Sequence, residues 1–338
     1  MLSMGGLMDI MEKMSAGIKD VESEMEKIIP RNGEPKEVYE PIWEFLDRGG
    51  KRIRPALYML SCAAVGGNPK ENVVIPSSIE FFHNFTLIHD DLEDDSKQRR
   101  GKPCTHIIYG MPLAINAGDG LFVYSMKAVA NSKLKPKVQV KVSQVLADGF
   151  AKVLDGQGRE LGWHTYKKWD ITEDDYFKMV EGKTGSLIAV SCEAGGIVGG
   201  GKKKQLKALH DFGMAIGISF QIQDDILNIV GDSKKFKKTL REDITEGKRT
   251  LMVIRTLAKC KPEEKQIIIE ALDTHTTDQE KNDAVVKLFE KYKAMEYADS
   301  VAKKIVEKAK KKLDKALPPS EAKSQLLELA DFFIHREY

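Results

Sequence analysis

The chain has 338 residues, 42% hydrophobic and 31% charged, and its 53 basic and 51 acidic residues leave a net charge of +2. That balance is typical of a globular protein and lacks the basic excess of a dedicated nucleic-acid binder, so no nucleic acid is expected as a partner. No apolar run reaches the ~18–20 residues a bilayer-spanning helix needs, and the Met-rich start is too full of Glu and Lys to hold a signal-peptide core.

From Ile10 to Ile29 apolar residues recur at intervals of three and four, which predicts an amphipathic helix ending at Pro30. Residues 31–36 read as a linker, Val38 to Leu46 as a helix, and a further helix starts near Arg54-Pro55 after Gly49-Gly50. Ser77 to Asp95 is a long helix, and 101–112 a loop. Helices follow over Ala114–Ser132 and Pro136–Glu160, the latter with an irregularity at Gly156-Gln157-Gly158. Thr172 opens a T-x-x-D cap before a helix over Tyr176–Val198. Beyond Gly199-Gly200-Gly201 come helices over Lys204–Val230, Thr250–Lys259, Pro262–Leu272, Asp278–Leu317 and Ser320–Phe333, with a polar loop over 231–248. Nothing reads as a strand. The pattern predicts an all-α bundle, with an N-terminal helix and linker over 1–35 and one domain over 36–338. Cys62, Cys104, Cys192 and Cys260 form no CxxC pair and read as reduced thiols in a cytoplasmic protein.

The first chemical signal is Asp90-Asp91-Leu92-Glu93-Asp94. Asp90 and Asp94 share a helix face, and two carboxylates so placed repel unless a cation sits between them. Mg²⁺ accepts such oxygen ligands and shares them with phosphates. Alone, the motif reads equally as a solvated acidic helix end. Arg99-Arg100-Gly101-Lys102 follows at once, and arginine grips phosphate oxygens in pairs. Upstream, Phe81, Phe82, Phe85 and Leu87 make the same helix apolar, which suits a hydrocarbon tail joined to a diphosphate head.

A second carboxylate helix carries Asp224, Asp225 and Asn228, with Gln221 one turn earlier and Gly213 and Gly217 permitting close helix packing. Two such helices suit a multi-metal clamp on a leaving diphosphate. Gly49-Gly50-Lys51-Arg52-Ile53-Arg54-Pro55 crowds three cations at a helix start, as a polyanion site would. Lys183, set in an apolar helix beside Thr184 and Gly185, reads either as a phosphate ligand or as a snorkelling surface lysine.

Together GGKRIRP, LIHDDLEDDSKQRRGKP, GQG, KTG, FQIQDD and DITEGKRT resemble the trans-isoprenyl diphosphate synthases, especially the geranylgeranyl type, from about Trp43 to the C-terminus. The resemblance implies an all-α isoprenoid-synthase-type helical bundle around a deep central cavity, working as a homodimer. It implies condensation of isopentenyl diphosphate with an allylic diphosphate (dimethylallyl, geranyl or farnesyl), assisted by three Mg²⁺ ions. On that match Asp90, Asp94 and Asp224 ligate metal, with Asn228 completing the second metal motif. Arg99, Lys183 and Lys248 hold the allylic diphosphate. Lys51, Arg54, His83 and Arg100 hold isopentenyl diphosphate. Thr184 and Gln221 face the cation, and Lys238 belongs to a closing loop. Asn228 and Glu160 stand where relatives more often have Asp, and Lys237 and Arg241 where they often have Gly. The wall below Asp90 sets product length: Thr86 lets the chain pass, while Phe82 and Phe85 stop it, giving C20 with C15 as the alternative. A terpene cyclase would leave GGKRIRP and RRG unexplained, and a non-catalytic subunit is the rival from another class.

Overall fold

The computed structural model describes residues 10, 12, 14–230 and 241–334. Helices dominate: α1 (Ser15–Ile28), α2 (Lys36–Leu46), α3 (Ile53–Ala64), α4 (Val74–Glu93), α5 (Thr105–Tyr109), α6 (Met111–Ala130), α7 (Pro136–Thr165), α8 (Glu173–Val180), α9 (Ser186–Val198), α10 (Lys203–Val230), α11 (Glu242–Thr245), α12 (Leu251–Leu257), α13 (Pro262–Asp273), α14 (Gln279–Lys291), α15 (Ala294–Ala316) and α16 (Glu321–Ile334). Among the described residues no helix is long and apolar enough to cross a membrane. All four cysteines are free, three of them buried.

Helix α9 lies at the centre and packs against α3, α7 and α10; α4 runs along α6, and α10 along α15. One buried cluster joins Val21, Met25 and Ile29 to Ile42, Phe45 and Phe81, and another gathers Phe212, Leu313 and Phe333 near the C-terminal end. The N-terminal helix thus buries its apolar stripe against α2 and α4, as its periodicity demands.

Four departures from the sequence expectations bear on the site. The expected loop at 101–112 holds a minimal hairpin, Gln98–Arg99 (β1) against Lys102–Pro103 (β2), and then α5. Arg100 and Gly101 both have positive φ, 55° and 76°, the two-residue turn geometry that matches strand twist. The helix expected over 176–198 is broken by a π turn, Glu181–Gly185, which contains Lys183 and Thr184. By contrast, α7 runs unbroken through Gly156-Gln157-Gly158. The span 278–317 divides at Lys293, whose φ of 51° ends one helix and starts the next. The Thr172 cap forms as expected, with Thr172 and Asp175 bonded to each other's backbone.

Candidate active site

Helix α4 ends in the first acidic cluster, and the hairpin folds its two arginines to different neighbours. Arg99 Nε donates to Asp91 Oδ1 at 2.7 Å, and its Nη2 reaches Asp90 Oδ2 at 3.2 Å. Arg100 turns the other way, donating to Gly49 O and, at 3.4 Å, to Asn84 Oδ1. The π turn brings Lys183 Nζ to 3.1 Å from Asp90 Oδ1 and into an ion pair with Glu160 of α7. Burial pushes the Asp90 carboxyl up, but the charges of Lys183, Arg99 and Lys248 outweigh it and hold the group at about 2. Asp94 goes the other way: burial and then the Asp90 charge lift it to about 7, and Lys248 and Lys183 do not restore it.

The second cluster is tied to the π turn. Thr184 Oγ1 donates to Gln221 Oε1 at 2.8 Å, and Gln221 Nε2 donates to Asp225 Oδ1 at 2.8 Å. Tyr176 donates to the other Asp225 oxygen at 3.0 Å. Burial, then the Asp243 charge, raises the Asp225 carboxyl well above the usual range. Asp224 is half-buried on the same turn. Asn228 is buried, and its side-chain oxygen accepts from the Asp243 N–H at 3.1 Å while its carbonyl accepts from Arg241 at 2.8 Å. It thereby latches the chain where it returns after 231–240. Lys248 stands between the clusters: Nζ lies 3.3 Å from Asp243 Oδ1 and pairs with Glu246. Burial opposes its charge, but Asp243, Glu246, Asp94 and Glu160 raise it well above the ordinary lysine value. Lys238 and Lys237 lie outside the described residues.

A third group gathers around α3 and α4. Gly49, Gly50 and Arg52 all take positive φ, so the chain swings its cations inward before α3 begins. Arg52 is buried, with ion pairs to Glu80 at 2.7 Å and Glu22 at 3.0 Å. Arg54 keeps a buried Nε without a hydrogen-bond partner, and burial, then Arg100, brings it down to about 10 despite Glu80. His83 is held neutral: burial and the guanidinium groups of Arg54, Arg100, Arg99 and Arg52 depress it well below the usual histidine value. Lys51 is exposed at the edge. Three arginines, Arg52, Arg54 and Arg100, thus gather here, and the two carboxylates Glu80 and Glu22 both pair with Arg52.

Below His83 an aromatic wall closes the helix face. Phe82 stacks on Phe150 with centroids 3.6 Å apart, and Phe85 meets Phe82 edge-on at 5.3 Å. Phe122 of α6 touches both, at 6.1 and 5.5 Å. Thr86, half-buried, bonds back to His83 O at 2.8 Å.

Sequence reasoning did not place Glu80, Glu246, Tyr176, Phe122 or Phe150 in this site. Nothing local marks the two phenylalanines, which come from α6 and α7, whereas Glu246 lies inside the DITEGKRT run. Arg249, next to Lys248, faces away toward a separate groove of about 360 Å³ lined by Trp169, Ile171, Val253 and Leu257. Among the described residues no three His, Cys, Asp or Glu side chains stand close enough to hold a metal ion by themselves.

The polyprenyl synthetase family model matches residues 35–289. A short chain isoprenyl diphosphate synthase of Methanothermobacter thermautotrophicus is 39% identical over 290 residues, covering 86% of this chain and 87% of that protein. A geranylgeranyl diphosphate synthase of Methanosarcina mazei is 32% identical, covering 98% and 99%. Geranylfarnesyl diphosphate synthases also stand among the relatives. The crystal structure of geranylgeranyl pyrophosphate synthetase from Pyrococcus horikoshii superposes with a TM-score of 0.92 at 34% identity, over 97% of this chain and 99% of that one. With these matches spanning the acidic helices, the arginine hairpin and the π turn, the chain belongs to the polyprenyl synthetase family and is a trans-prenyltransferase.

Proposed function

We propose that the chain makes geranylgeranyl diphosphate by adding isopentenyl diphosphate to an allylic diphosphate, farnesyl diphosphate serving as the last primer. The observation that carries the reading is the parting of Arg99 and Arg100 by one hairpin, toward two groups of cations. Arg99, Lys183 and Lys248 surround Asp90 and Asp94, while Arg54 and Arg100 surround His83. Two separated anion sites fit a reaction with two diphosphates and do not fit a cyclase with one.

Mg²⁺ fits the first set. Asp94 is held near neutrality by burial and by Asp90, and a divalent cation would relieve both. Asp90 and Asp94 would hold two ions and Asp224 a third, with Asn228 behind it, and the metal supplies positive charge that stabilises the departing diphosphate.

The protein's own residues do the rest. Arg99, Lys183 and Lys248 hold the allylic diphosphate as its C–O bond breaks. Arg54, Arg100 and Lys51, with neutral His83 as a hydrogen-bonding group, hold isopentenyl diphosphate so that its double bond meets the cation. Thr184 and Gln221 present oxygen dipoles to that cation. The proton released from the new C–C bonded intermediate goes to the departing diphosphate. Lys238 would help to exclude water, which otherwise quenches the cation. The aromatic wall of Phe82, Phe85, Phe122 and Phe150 stops growth at C20. A second copy of the chain is the proposed partner, meeting the exposed apolar face of α6.

The test is incubation of the purified protein with Mg²⁺, farnesyl diphosphate and labelled isopentenyl diphosphate, followed by product chromatography. A labelled C20 diphosphate is expected. Absence of labelled product both here and in a parallel incubation with dimethylallyl diphosphate as primer would refute catalysis, and a dominant C15 product from dimethylallyl diphosphate, or a dominant C25 product from either primer, would refute the assigned length.

A further inference from the structure

The glycines at 156, 213 and 217 have no ligand in the reaction just described, yet two of them meet the π turn that carries Lys183 and Thr184. A Cβ built on Gly156 would lie 2.1 Å from the Lys183 nitrogen and 2.7 Å from the Gly182 carbonyl carbon. One built on Gly182 would lie 2.8 Å from the Gly156 Cα. From α10, a Cβ on Gly217 would lie 2.6 Å from the Gly185 Cα and 3.2 Å from Thr184 O. These are backbone atoms, which cannot rotate aside as a side-chain end can.

We infer that Gly156 and Gly217 are positioning residues. Two glycine contacts, Gly156 with Gly182 and Gly217 with Gly185, clamp the π turn between α7 and α10 and fix Lys183 relative to Thr184. The π turn inserts an extra residue into a helical turn, so these adjacent side chains face different elements. Lys183 meets Asp90 of α4 and Glu160 of α7, and Thr184 meets Gln221 of α10. The diphosphate grip and the oxygen dipoles that face the cation are therefore set by one short segment, whose height between the helices only a hydrogen at these Cα positions allows. The inference rests on the proposed prenyl transfer for the roles of Lys183 and Thr184.

The test compares three alanine variants. In Gly213→Ala the new Cβ would lie 2.7 Å from the Ala189 Cα, a backbone clash matching the 2.6 Å of Gly217 and milder than the 2.1 Å of Gly156, but in α9 beyond the π turn. This variant is the control for lost stability alone. Folded Gly156→Ala and Gly217→Ala should lose about 100-fold in kcat with farnesyl and isopentenyl diphosphates, the effect expected for roughly 1 Å of misplacement, with KM for isopentenyl diphosphate nearly unchanged. Gly213→Ala should lower the melting temperature without that loss. If kcat of Gly156→Ala is no lower than that of Gly213→Ala, the clamp is wrong.

A second arm does not need Gly156→Ala to fold. Gly217→Ala carries it alone, because its backbone clash of 2.6 Å is nearly the same as the 2.7 Å of Gly213→Ala. Calorimetric binding of inorganic pyrophosphate with Mg²⁺ reads the clamp without turnover and should weaken in Gly217→Ala but not in Gly213→Ala. Equal binding by the two variants overturns the proposal. An inactive unsubstituted protein would count against the prenyl-transfer reading, while this binding comparison would still decide the clamp.

Discussion

At the scale of the residue, identical side chains acquire different work from their surroundings. Arg52 and Arg54 are two positions apart. Arg52 is neutralised by Glu80 and Glu22, whereas the buried Nε of Arg54 has no hydrogen-bond partner, so the first ties the fold together and the second fits the anion-binding role proposed for it. Lys183, open to two readings in the sequence, is engaged by Asp90 and Glu160 and is no snorkelling surface lysine. Phe85 illustrates a steric role. It is half-buried and leans on Phe82, Phe122 and His89 with centroids 4.7–5.5 Å away. Phe85→Ala removes a ring from the wall and should shift the main product from C20 to C25 or longer, read by chromatography of the dephosphorylated alcohols. An unchanged C20 product would show that the wall lies elsewhere.

At the scale of the element, the site depends on three irregularities: the Arg100-Gly101 turn, the π turn, and the Gly247 turn before α12. The last joins three helices. Arg249 reaches Asp273 of α13 at 3.0 Å and His164 near the end of α7 at 3.3 Å, and stacks over Trp169 at 4.2 Å. Burial, then the Arg249 charge, lowers the His164 imidazole from 6.5 to about 4. Between those values the unfolded chain binds the proton that the folded chain refuses. Stability should therefore fall as pH drops from about 6.5 toward 4, by at most about 1.4 kcal/mol per pH unit from this group. Asp94, Asp225 and His83 are also shifted into or out of this window, so His164 is read by difference: in urea melts between pH 5 and 6.5, the stability of the unsubstituted protein should fall relative to that of His164→Leu as pH drops.

At the scale of the whole molecule, one surface is too apolar for water. Met111, Ile115, Phe122, Val123 and Met126 of α6 are 38–61% exposed and lie next to exposed Ile107 and Ile108 of α5. Contiguous apolar faces of this kind mark association sites. Phe122 also backs Phe82 and Phe85, so a second copy covering α6 would close the outer side of the product wall. Sedimentation should find the protein dimeric, and Val123→Glu with Met126→Glu should shift it toward monomer. A monomeric unsubstituted protein would refute the homodimer.

The sequence by itself determined the helical architecture and the family. Apolar spacing of three and four is a local property, and so is the placing of Asp90 and Asp94 on one face or the T-x-x-D cap at Thr172. It also held both acidic motifs and the arginines in readable runs, because each set lies within a few residues of chain. It did not show the π turn, the hairpin or the break at Lys293. The first two meet neighbours distant in sequence: Gly156 and Gly217 against the turn, and Gly49 drawing Arg100 away from Arg99. Only the tertiary structure decided which cations are paired with carboxylates and which are not, and which rings meet beside Phe82. Charge balance and packing in a buried space are sums over every element that faces it, and no single stretch of sequence contains that sum.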